Sequence, residues 1–205
     1  MSTDLILTFI VASSLISISP GPDNIFVLTQ SALYGRKSGL LVTFGLCTGL
    51  IVHTLAVAIG VAALFQTSPL AFTTLKIIGA IYLLYLAWLS FTASKSELSL
   101  SSSTVRSAKE LYMRGIFMNV TNPKVSIFFL AFLPQFTTPE NGTLVIQFFI
   151  LGAIFIAVAL LIFSTIALLS GSIGYWFGHS INGQIYLNRV AGTVFVGLAL
   201  KLVSA

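Results

Sequence analysis

The stretch Ser19-Pro20-Gly21-Pro22-Asp23-Asn24 interrupts an apolar run that extends from Leu5 to Leu33. Proline has no backbone N–H and its ring crowds the preceding turn, so one helix stops here and another starts. Between water-soluble helices this would be an ordinary turn. Here the flanks are almost wholly apolar, which sets the break and its carboxylate at membrane depth. Irregular backbone persists there only where protein buries it or water lines it, so the break is itself a candidate site.

The rest of the chain supports that reading. Hydrophobic residues make up 57% and charged residues 7%, with a mean hydropathy of +1.03. Soluble domains carry about 25% charged residues, so this is an all-α membrane protein. Its length suits six spans of about 20 to 25 residues each. They are read at Leu5–Leu33, Gly39–Phe65, Leu70–Phe91, Leu111–Leu133, Thr143–Ser170 and Tyr186–Val203, with the first and fourth broken at proline motifs. The first segment holds Asp4 and no basic residue before the run resumes past the prolines, so it reads as a retained span and not a cleaved leader. The lone Cys47 excludes an internal disulfide.

The polar stretch Ser94 to Glu110 divides a single transport domain, residues 1–205, into two three-span halves: repeat 1 at about 1–93 and repeat 2 at about 111–205. Pro22 and Pro123, Gly45 and Gly152, and Gly79 and Gly192 correspond in the same order across the halves. An odd number of spans per half makes the two repeats inverted, a recurring plan of secondary transporters. Arg36, Lys37, Lys95, Arg106, Lys109, Arg114 and Arg189 all fall on one side by alternation, which marks that side, and the loop at about 94–110, as cytoplasmic. Both termini then face outward. The formal charge of +5 is spread over span ends and forms no patch for nucleic acid; membrane lipids are the expected surroundings.

The second break, Asn119-Val120-Thr121-Asn122-Pro123-Lys124, has the same grammar as the first. Ser19 or Gly21 can cap a new helix with Pro20 or Pro22 in its first turn, and Asn122 can cap one that begins at Pro123. Two half-helix N-termini would meet inside the bundle, each offering unpaired N–H groups suited to a carboxylate. The correspondence of halves matches Asp23 with Lys124. Two roles are open for this pair: an ion pair tying the halves together, or the binding site of an amino acid whose ammonium meets Asp23 and whose carboxylate meets Lys124. Asn24 and Asn122 lie beside them. His53 shares a helical face with Gly45, Gly49, Ala56 and Gly60, a small-residue seam that packs within one chain or between copies in a homo-oligomer. It is either a hydrogen-bonded neutral side chain or, after Asp23, a second candidate for proton coupling. Tyr82, in a stripe with Tyr85 and Trp88, either packs or lines a pathway, and Gln135 either gates or caps the fourth span. Asn141-Gly142-Thr143 fits a glycosylation sequon, without meaning in a bacterium. No HExxH, GxSxG or phosphate-loop pattern occurs, so neither an enzyme nor a cofactor is expected. A membrane-embedded enzyme and a cation or metal exporter are the alternatives, although Asp23, His53 and Cys47 show no ligand spacing.

SPGPDNIFVLTQSALYGRKSGLLVTFG followed by NVTNPKVSIFFLAFLPQF resembles the LysE/RhtB-type amino-acid exporters over nearly the whole chain. The resemblance implies export of amino acids or close derivatives across the bacterial inner membrane, with protons as the exchanged ion. The family's motifs correspond here to Ser19, Pro20, Gly21, Pro22 and Asp23, and to Asn122, Pro123 and Lys124. Members differ in substrate, so the likeness does not select one.

Overall fold

The computed structural model describes residues 1–61, 69–92, 107–170 and 181–204, and every regular element among them is helical. The first span is two helices, Thr3–Ile18 (α1) and Pro22–Tyr34 (α2), bent by 59° at the SPGP break. Gly35, at φ 86°, then turns the chain into Arg36–Ala56 (α3), which runs on as a π-helical turn, Val57–Val61. A third span, Pro69–Thr92 (α4), completes the first half.

The second half repeats the pattern. Ala108–Val120 (α5) and the helical stretch from Pro123 to Phe136 are bent by 49° at the Asn-Pro-Lys break. That stretch begins as Pro123–Ile127 (α6), loosens into a π turn at Phe128–Phe132 and tightens into a 3-10 turn at Leu133–Phe136. Pro134 explains the change of winding: without an N–H it cannot continue the regular ladder. Leu144–Leu168 (α7) and Ile181–Ser204 (α8) follow. Four uninterrupted helices are long and apolar enough to cross a bilayer, and the two bent pairs bring the spans to six.

Three span starts clearly precede those of the sequence reading, the second span beginning at Arg36 instead of Gly39. The fourth span begins three residues earlier than expected, because Ser107 and Glu110 form a capping box instead of belonging to the loop. The sixth span begins at Ile181, ahead of the expected Tyr186, so Arg189 lies well inside it. Lys95, Arg106 and His179 fall outside the described residues.

In lipid, helices gain little from hydrophobic burial against one another, so close backbone approach and interlocking side chains hold the bundle. The small-residue seam on α3 serves this purpose inside the chain. A Cβ on Gly45 would strike the Tyr112 carbonyl and stand 3.0 Å from the Gly115 Cα, and a Cβ on Gly49 would stand 2.7 Å from that of Asn119. Glycine thus draws α3 onto α5, and the Tyr112 hydroxyl meets Thr48 Oγ1 at 2.8 Å along the same contact. Helix α3 also packs on α7, α4 on α8, and α1 on α7. A block of phenylalanines fills the other side of the core: Phe9 lies 5.0 Å from Phe136, and Phe128 lies 5.1 Å from Phe155. Such ring pairs contribute about 0.5–1.5 kcal/mol each beyond burial.

Gly45→Ala is expected to push α3 from α5 and to cost about 1–3 kcal/mol. Gly197→Ala meets nothing within 4 Å and serves as its control. Thermal denaturation of the two variants in detergent should show a lowered midpoint for the first and none for the second.

Candidate functional site

Proline's missing N–H explains the chemistry at both breaks. In a continuous helix the carbonyl of Ile16 would accept from residue 20 and that of Asn119 from residue 123, and both positions are proline. A carbonyl stranded in the middle of a bundle needs another donor. Lys124 Nζ donates to the Ile16 carbonyl at 3.1 Å and to that of Ser19 at 2.9 Å. The Asn119 carbonyl accepts instead from the Asn122 N–H at 3.0 Å, and His53 Nε2 lies 3.1 Å from it as a second partner. A carbonyl only accepts, so this nitrogen carries hydrogen and any further proton on the ring resides on Nδ1. The Ser17 carbonyl, left over because Gly21 is extended, accepts from Asn24 Nδ2 at 2.7 Å.

The new helices start as their sequences dictate. Gly21 is the N-cap of α2, with Pro22 in its first position and Asp23 in its first turn, where a carboxylate suits the helix dipole. Asn122 caps α6 through its side-chain oxygen, which accepts from the Lys124 N–H at 3.0 Å. Lys124 is itself unfavourable near a helix N-terminus. Its ammonium instead reaches across to the carbonyl end of α1, where a cation is stabilised. Asn119, in the last turn of α5, reaches the other way: its Nδ2 donates to Asp23 Oδ2 at 3.2 Å. Each half therefore engages the break of the other.

Asp23 is 2% exposed and Lys124 8%, yet no direct ion pair joins them, and Asp23 Oδ1 has no protein partner. Between them is a cavity of about 10 Å³, room for about one water molecule. Ser17, Asp23, Asn119 and Lys124 form its polar side. The Ser17 hydroxyl, Asn119 Oδ1 and, close by in sequence, Asn122 Nδ2 are buried without a protein partner. Unsatisfied donors and acceptors of both kinds thus gather where two opposite charges face one space. Buried groups of this sort cost about 1–3 kcal/mol apiece unless something bonds to them. Gly21 leaves room for the lysine head: a Cβ there would stand 3.0 Å from Lys124 Nζ.

The sequence-predicted residues divide accordingly. Asp23 and Lys124 line the cavity, while Asn24 and Asn122 hold the breaks beside it. His53, 8% exposed, faces protein and connects to Asp23 through Asn119. Tyr82 lies 6.0 Å from Tyr85, ring to ring, and does not line the cavity; Trp88 continues that stripe on an exposed face. Gln135 folds back onto the Ala131 carbonyl. Asn119 is the residue that sequence reasoning missed. Its signal was present: a buried amide one turn before a proline break in an apolar span. Among the described residues, no three His, Cys, Asp or Glu side chains converge as metal ligands would.

The chain is similar to known proteins along nearly all of its length. No solved structure matches the chain. A homoserine/homoserine lactone efflux protein of Salmonella typhimurium is 34% identical over 96% of this chain and 95% of its own length. A leucine efflux protein of Salmonella choleraesuis is 31% identical over 95% and 92%, and the uncharacterized membrane protein YrhP of Bacillus subtilis 31% over 96% and 97%. The family described as LysE type translocator matches residues 14–205, from the last residues of α1 onward and with both breaks included. By that match and these relatives, this membrane-spanning chain belongs to the LysE family of translocators.

Proposed function

We propose that the protein is an inner-membrane secondary exporter of amino acids or close derivatives, driven by proton antiport, with the substrate held between the two breaks. The single observation that supports this most is the buried Asp23–Lys124 cavity, in which two opposite charges face one space without pairing directly. The relatives named for homoserine and leucine efflux point the same way.

In this reading the substrate replaces the bonds that now hold the site shut. Its carboxylate takes the Lys124 ammonium from the carbonyls of Ile16 and Ser19, and the free Asn122 Nδ2 adds a donor. Its ammonium takes Asp23 from Asn119. A cavity with room for one water cannot hold an amino acid, so the halves part as substrate binds. Inverted repeats, about 1–93 and about 111–205, give that motion two equivalent end states, open to either side. Crossed contacts support the symmetry: the half-helix that begins at each proline bonds to the half-helix that ends at the other. Asp23 carries the exchanged proton, with the His53 Nδ1 as the second station. Tyr82 belongs to an outer part of the pathway. Both termini face the outside of the cytoplasmic membrane.

Efflux of preloaded amino acids from cells or proteoliposomes, with and without a pH gradient, tests the assignment. Transport should collapse with the gradient. Lys124→Met should lower the rate by about 100-fold, as expected for removing one member of a buried, hydrogen-bonded charge set. Asp23→Asn should abolish the response to the gradient; full, gradient-dependent efflux by that variant would remove the carboxylate from the mechanism.

Topology is checked separately. In a Cys47→Ala background, Ser2→Cys should react with a membrane-impermeant maleimide in intact cells. Reaction only after the cells are broken would reverse the orientation.

A further inference from the structure

Serine and threonine hydroxyls inside apolar helices commonly bond to the carbonyl four residues back. Ser14, Ser31, Thr43 and Thr54 do so here, at 2.8–2.9 Å. Ser13 and Ser17 of α1 do not: both are buried, and neither hydroxyl has a protein partner. They lie one turn apart on one helix face, and Ser17 lines the cavity beside Asp23. Beyond the break, Gln30 of α2 sits about two turns past Asp23 on the same face. It is 4% exposed, and its Oε1 accepts from no protein group. Helix α1 leads to the break and α2 leads away, so Ser13 and Gln30 lie on opposite sides of the cavity.

Packing closes both sides. Phe9, one turn beyond Ser13, is fully buried and meets Phe136 edge to face at 5.0 Å. Next to Gln30, α3 presses on α2 so closely that a Cβ on Gly39 would strike the Ser31 hydroxyl. Unbonded oxygens beneath such packing are costly, and the two serines leave a bond to their own helix unmade.

We propose that the first span lines both halves of the route through the protein. Ser13 and Ser17 line the passage between the cavity and the outside, and Gln30 lines the passage between the cytoplasm and the cavity. Each is wetted when its own side opens, and water or the passing amino acid then supplies the missing bonds. This rests on the reading of the Asp23–Lys124 cavity as the transport site and of the termini as outside. Hydroxyls and an amide suit a zwitterion in transit, because they bond it without the grip of a counter-ion.

In a Cys47→Ala background, Ser13→Cys should react with a membrane-impermeant maleimide added to intact cells. Gln30→Cys should react in inside-out vesicles and not in intact cells. Ser14→Cys and Thr43→Cys, whose parent hydroxyls bond to their own helices, should stay unlabelled from either side. The attached maleimide should also stop efflux of radiolabelled homoserine and leucine, because it occupies the passage. Failure of Ser13→Cys or Gln30→Cys to react, in protein that still exports, overturns the route and leaves the export reading intact. So does labelling of either from the wrong side, or labelling that leaves efflux unchanged. Labelling from the two expected sides in a chain that moves neither amino acid upholds the passages and counts against the export reading. Should Ser13→Cys fail to fold by size exclusion, Ser17→Cys, one turn inward, is read from the outside in its place. Val27→Cys, between Asp23 and Gln30 on the same face, likewise replaces Gln30→Cys.

Discussion

A proline cannot donate a backbone hydrogen bond, and lipid cannot lend one. Those two facts together govern this molecule. Pro20 strands the Ile16 carbonyl, which Lys124 answers, while at Pro123 the Asn119 carbonyl turns to the Asn122 N–H and takes His53 as a second partner. The side-chain donors come from elsewhere in the sequence, so repairing the breaks also ties separate spans together. Lys124 links the second half to the first, and His53 links the second span to the fourth. What would be a defect in an isolated helix becomes the main polar connection of the bundle.

The same repair creates the site. Lys124 is drawn away from the unfavourable N-terminus of its own helix to the carbonyl end of α1, and Asn119 is drawn to Asp23 at the start of α2. Opposite charges thereby line one small space, each bonded to neutral groups instead of to each other, with Asp23 Oδ1 left without a protein partner. Neutral partners are weaker competitors than a counter-ion, since bonds between two charged groups are the stronger kind. A zwitterion can displace a carbonyl and an amide more readily than it could open a buried salt bridge, whose separation is costly.

Packing fixes where this happens. Glycines 45, 49 and 115 bring α3 into backbone contact with α5, which sets His53 beside Asn119 and so beside the Asp23 carboxylate. The phenylalanine block of α1, the fourth span and α7 holds the other wall. A transporter needs both rigid surfaces and a place to bend. Here the rigid surfaces are glycine seams and interlocked rings, and the bends are the two proline motifs with their unwound residues.

Most of the architecture was legible in the chain itself. Apolar runs of spanning length have one stable form in lipid, so six helices followed from composition. Pro22 and Pro123 at helix starts, with Gly21 and Asn122 as caps, followed from what those residues do to any backbone. The span boundaries were legible to within a few residues, missing where Arg36 and Ile181 already began helices and where Ser107 and Glu110 acted as a cap instead of a loop. Composition could not reveal which side chains answer which orphaned carbonyl, because that depends on how separate spans dock. Asp23 and Lys124 were matched by correspondence of halves, but that matching could not distinguish a salt bridge from two charges held apart. The role of Asn119 was invisible for the same reason: an amide in an apolar run declares that it needs a partner, and only the folded bundle says who it is. Local backbone chemistry is written residue by residue, whereas the pairing of buried polar groups is settled by distances that the sequence does not contain.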